Sequence, residues 1–167
     1  MRGTLHFNSL GELAIHLVEA QAHMVLSLHH GLERASKLVE RTAKSEFGVY
    51  QPQQGPFPAW APLAESTLER KEADGSAPPD NPLVHSGDLR DSIEHEVVGH
   101  EAVIGTKDPL MVFHEFGTSK MPARPVLGPA AFRNKEHIKR ILGEAMVEGL
   151  LGGESIHPSL GYDYDTK

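Results

Sequence analysis

The chain has 167 residues, of which 39% are apolar and 23% charged, with a formal net charge of −7 and no cysteine. That is about one domain's length, enough to bury roughly two-thirds of the unfolded surface and too apolar for global disorder. The missing cysteines exclude disulfides, thiolate zinc sites and thiol catalysis, and the acidic balance argues against general adhesion to nucleic acid, which rests on Lys and Arg neutralising phosphates.

Residues 1–30 carry Glu and His where a signal peptide would be apolar, and no apolar run reaches membrane-spanning length, so a soluble chain is expected. Ser9 and Glu12 form the S-x-x-E capping box of a helix start, and no proline follows until after Phe47. A long helix over 9–47 is therefore expected. Its apolar seam runs through Val18, Val25, Leu32 and Val39, flanked by Leu10, Leu17, Met24 and Leu38, with an interruption at Gly31. His16, His23, His30, Lys37 and Lys44 recur every seven residues on the other face, four of them preceded by Glu at i−4, which reads as a solvated face. Residues seven apart lie roughly 10 Å apart along a helix, too far to share one metal ion. Some 38 helical residues would span roughly 57 Å, against a radius of gyration of about 15 Å for a compact domain of this size. Either the helix breaks near Gly31 or it projects, and a projecting apolar face requires cover from another chain.

A proline-rich stretch, QPQQGPFPAWAPLAEST over 51–67, holds the sole tryptophan, Trp60, and leads into a short helix expected over 62–71; ADGSAPPDNP over 73–82 reads as an exposed loop. Beyond it, alternation around turn signals at Gly99 and Asp108-Pro109 predicts an antiparallel meander of three to four strands over 92–117, including LMVFHEF at 110–116. Pro129 and the helical spacing of Phe132, Ile138, Ile141, Leu142 and Ala145 predict a helix over 129–151, stopped by Gly152-Gly153. Residues 152–167, with Tyr162 and Tyr164, read as an extended tail without a core of its own. The expectation is one α+β domain over 1–151 with that tail appended.

Little in the sequence suggests chemistry. His114-Glu115 begins like a zinc-protease motif, but Thr118 stands where the second histidine is needed. His85, Ser86 and Asp88 are too close in sequence for a convergent triad. His95, His100 and His114, with Glu94, Glu96, Glu101 and Glu115, would form a metal site only if His95 and His114 were cross-strand neighbours, and alternating surface polarity accounts for them as well. Arg124, held between Pro122 and Pro125, is expected to face a partner or an ion-pair mate. No catalytic, cofactor or metal residues are assigned.

Trp60-x-Pro62-Leu63 with Thr67 and Lys71, then Leu83-x-x-Ser86-Gly87-x-Leu89-x-x-Ser92-Ile93, Ile104-Gly105, His114-Glu115-Phe116-Gly117 and Pro122-Ala123-Arg124-Pro125-x-Leu127-Gly128 follow one another in order. This set resembles the tailed-bacteriophage virion-morphogenesis family, which includes the G protein of phage Mu and tail-completion or neck proteins. The resemblance implies a non-enzymatic α+β subunit without cofactors, built into a homo-oligomeric ring, hexameric by expectation, at the head-tail junction. It also implies neighbouring head-completion or adaptor and tail-terminator or tail-tube proteins as partners. DNA would pass through the ring without specific binding, and no membrane would be involved. The subunit would reside in the host cytoplasm during assembly and in the virion afterwards. Trp60, Phe116, Arg124, Tyr162 and Tyr164 are the candidate interface residues, with Phe116 packed and Arg124 turned towards a neighbour. Two rival readings are a metal-dependent hydrolase or lysis factor using the sheet histidines, and a nucleic-acid-binding regulator dimerising through the long helix.

Overall fold

A computed structural model of the chain describes residues 6–75 and 78–152. The chain opens with α1, Leu10–Glu46, which starts as the capping box requires: Glu12 N–H donates to Ser9 Oγ at 3.1 Å, and Glu12 Oε2 accepts from Asn8 N–H at 2.7 Å. At 37 residues it is about 55 Å long. It runs unbroken through Gly31. That glycine is a contact point instead of a hinge, because a Cβ there would lie 2.6 Å from Ala145 Cβ. The neighbouring helix is α6, Lys135–Leu150. Its Gly149 sits against Met24 while its Ala145 sits against Gly31, so α6 runs antiparallel to α1 and ends level with Met24. N-terminal to that point α1 projects from the body with its apolar seam uncovered: Leu10 is 85% exposed, and Ile15, Leu17 and Val18 are exposed too.

Between these helices lie α2 (Glu65–Ala73), α3 (Asp88–Asp91), β1 (Glu94–Val98), β2 (Glu101–Gly105), α4 (Leu110–Phe116) and α5 (Leu127–Arg133). β1 and β2 form an antiparallel hairpin through Gly99-His100, with His95 opposite Ile104 and Val97 opposite Ala102. These four residues are the more covered ones of the alternating pattern, and the hairpin packs on α1. The core lies at the C-terminal end of α1, where Val39, Ala43 and Phe47 meet Trp60, Ile93, Met111, Val126 and Ala130.

The α+β class with its long N-terminal helix holds, and several details of the expected layout change. The sheet has two strands among the described residues, and LMVFHEF is the helix α4. Asp108 Oδ1 accepts from Leu110 N–H at 2.9 Å and Pro109 precedes the first turn, which starts a helix where periodicity over a seven-residue stretch leaves helix and strand undecided. The C-terminal helix is two helices that meet at Asn134, whose Nδ2 donates to Thr42 Oγ1 and Ala130 O, both at 2.8 Å. α2 begins three residues later than expected, and the expected tail lies outside the described residues apart from Gly152.

Candidate functional site: a cleft framed by the family motifs

The segment from His114 to Gly128 folds back on itself and onto the Trp60 loop. Val126 caps α5 without a side-chain bond of its own, so the first N–H groups of that helix need acceptors from elsewhere. Glu115 supplies them: its carboxylate accepts from Val126 at 2.8 Å, Leu127 at 3.2 Å and Gly128 at 2.9 Å. The next residue, Pro129, has no N–H, and Ala130 N–H already bonds Val126 O at 3.1 Å, so every donor of the first turn is accounted for. The turn between the two segments needs Gly117, at φ 73°, where a Cβ would lie 2.8 Å from both Ala123 N and Met121 O.

Arg124 joins this turn to the loop before α2. Its N–H donates to His114 O at 2.7 Å, while its Nε and Nη2 reach Ala61 O at 3.2 and 3.0 Å and Nη2 also reaches Pro62 O at 3.1 Å. Trp60 Nε1 donates to Pro125 O at 3.0 Å from within the core. Lys71 is held in the same way from α2, its ammonium donating to Asn81 O. Carbonyl oxygens satisfy these donors without cancelling their charge, and no described carboxylate lies within ion-pair distance of Lys71 or Arg124. Burial depresses the Lys71 pKa accordingly.

Around this frame opens a cleft of about 770 Å³ between α2, the 83–89 segment, α4 and residues 120–124. Pro62, Leu63, Thr67 and Lys71 line one wall, Leu83, Ser86, Gly87 and Leu89 a second, and His114 and Arg124 the floor between them. About half of the letters that carry the family resemblance, spread from Pro62 to Arg124, thus converge on one surface. The chain matches the phage virion morphogenesis family over residues 33–146, about two-thirds of its length. The chain belongs to that family. No curated protein and no solved structure matches it.

In this phage virion morphogenesis protein the expected interface residues have different environments. Trp60 is buried in the core. Arg124, expected to face a neighbour, is 5% exposed and turned inward, because two prolines and the Ala61 and Pro62 carbonyls hold it there. Phe116, expected to be packed, is 79% exposed at the end of α4. The α4 turns place Met111 inward, and Leu110, Val112, Phe113 and Phe116 outward. Tyr162 and Tyr164 lie outside the described residues.

The histidines do not meet. His114 is on α4, away from the hairpin, so the cross-strand pairing with His95 does not occur. Its Nδ1 is buried without a partner, and burial, together with the Arg124 charge, lowers its pKa. His95 lies between two carboxylates of α1: its Nε2 is 3.1 Å from Glu33 Oε2, and its Nδ1 bonds Glu40. The bond to Glu40 chiefly raises its pKa, which favours the doubly protonated ring that donates to both. Ser86 Oγ donates to Asp88 Oδ2 at 2.7 Å, closing a local turn. Among the described residues no three His, Asp or Glu gather as a metal site, and no helix is long and apolar enough to cross a membrane.

Sequence reasoning missed Glu115, Glu46 and the His95 clamp. The absence of any capping residue at the start of α5 was the available signal for Glu115. Glu46 is 1% exposed at the end of α1, with Arg133 Nη2 at 3.5 Å and neither carboxylate oxygen hydrogen-bonded. Burial pushes its pKa up to about 7 against the pull of Arg133, and the Glu115 charge adds to the rise. No sequence signal marks that residue as buried.

Proposed function

We propose that this morphogenesis protein is a structural tail-completion subunit that forms a ring, hexameric by preference, at the head-tail junction and is required for joining heads to tails. The observation that carries this reading is the projecting N-terminal end of α1, whose uncovered apolar seam makes the subunit incomplete alone. Monomeric soluble proteins rarely present so long an apolar strip, whereas a subunit covered by its copies needs one. The net charge of −7 suits a channel that DNA crosses without adhering. Head-side adaptor and tail-side terminator or tube proteins are the neighbours such a ring would meet in the virion.

The test is native mass spectrometry with light scattering over a concentration series, with and without extracts of tails or heads from the corresponding phage. A closed ring, alone or on addition of these partners, is the expected result. Phage lacking the protein should accumulate separate heads and tails that join when purified protein is restored. A species that stays monomeric throughout and restores no joining would sink the reading.

A further inference from the structure

We propose that the projecting end of α1 inserts into the cleft of a neighbouring copy, so that successive subunits are joined head to tail by one helix end and one groove. This rests on the ring reading above and names the contact that would build the ring.

The two surfaces complement one another. The projecting stretch presents Leu10, Ile15, Leu17 and Val18, all exposed, with Glu12 and Glu19 as its only charges outside histidine; no Lys or Arg occurs between Gly3 and Glu33. Leu63, Leu83, Leu110 and Met121 offer apolar surface in the cleft, and Arg70 and Lys120 stand exposed at its rim above the buried Lys71 and Arg124, which have no ion-pair mate among the described residues. Asp74, Asp88 and Asp108 also border it, and Asp80 acts on Lys71 from beside it, so acids and cations are about matched. An acidic apolar helix end thus meets less like-charge repulsion in this mixed apolar groove than against a second acidic helix end, which favours this pairing over helix ends meeting each other.

The helix cannot reach its own cleft. No α1 residue lines it, and the core beneath it, with Trp60, Ile93 and Met111, packs on Val39, Ala43 and Phe47. Val39 is about 44 Å from Leu10 along a continuous helix. The contact is therefore between copies, and because the two patches differ it is heterologous, the kind that closes rings or propagates filaments.

The cysteine-free chain allows a direct test. Full-length Leu10→Cys and Leu110→Cys proteins, both altered at exposed positions, are mixed under assembly conditions and treated with a short bis-maleimide. The expected product is the mixed crosslinked dimer, at least tenfold above either homodimer, and a chain carrying both substitutions should give a ladder of crosslinked oligomers. Leu10→Cys homodimers in excess would mean that helix ends pair with each other; an intramolecular product in the double variant would mean cis docking; and no product would mean that neither surface meets the other. Each overturns the inference. The mass of the unmodified protein judges the ring separately: a ring without the mixed crosslink rejects this contact alone, and no ring under any condition rejects both.

Discussion

Glu115 and Gly128 lie thirteen residues apart, and the carboxylate of the first accepts the N–H of the second at 2.9 Å, so one helix is capped by the end of another. The same carboxylate holds Val126 and Leu127. Glu115→Ala should leave three main-chain donors of α5 without this acceptor and cost about 2 kcal/mol, while Glu115→Gln, which keeps one acceptor oxygen, should cost less. Urea unfolding followed by circular dichroism would measure both. Equal stability of the Ala variant and the wild type would show that the cap contributes nothing.

Arg124 is buried and Phe116 exposed, the reverse of the placement expected for each. Arg124→Ala removes a buried fork from the Ala61 and Pro62 carbonyls and should destabilise the isolated subunit by about 2–3 kcal/mol. Phe116→Ala, at an exposed position, should change subunit stability by less than about 0.5 kcal/mol and show any effect in assembly instead. Thermal melts of both variants beside their light scattering separate the two effects. A stable Arg124→Ala subunit that fails only in assembly would return Arg124 to the interface.

Gly149→Ala sets helix propensity against packing. Alanine in a helix interior gains up to about 1 kcal/mol over glycine. Its Cβ, however, would lie 2.5 Å from Met24 Cα, a backbone atom that cannot turn aside. Overpacking of this kind costs about 1–3 kcal/mol, so the variant should be less stable despite its better helix residue. A raised melting temperature would mean that α6 does not approach α1 as closely as described.

Two groups make stability fall as pH rises, over different ranges. Glu46 has its pKa raised from 4.5 to about 7, so its contribution is complete below about pH 4.5 and is lost as pH climbs to about 7, a change of up to about 3 kcal/mol. Glu46→Gln should flatten that part of the profile. His95, whose pKa is raised by Glu40 and Glu33, contributes fully below its usual value of 6.5 and loses that contribution as pH rises through its higher folded value. His95→Gln should flatten the profile above neutrality. Urea midpoints collected from pH 4 to 9 for the three proteins would read both, and an unchanged slope in either variant would remove that group from the account.

Much of this was legible in the residues because it depends on neighbours in sequence. The capping box, the absence of proline and the apolar seam set the start and length of α1; Gly99 marked the hairpin turn; the ordered motifs pointed to the family. LMVFHEF escaped because a seven-residue stretch this rich in apolar side chains fits both periods, and the side chain of Asp108 settles it as a helix. Gly31 carried two meanings, a break or a close contact, and only the presence of Ala145 beside it selects the second.

The remainder depends on groups far apart in sequence. Period and capping specify which face of a helix is apolar, since they act over a few residues, but not which other segment covers that face or leaves it bare. Arg124 turned inward because the carbonyls of Ala61 and Pro62 lie sixty residues away in sequence and about 3 Å away in space. Glu46 titrates near neutrality because the packed chain leaves it 1% exposed, and desolvation is a property of the packed whole. The cleft itself exists only where α2, α4 and the loops between them come together.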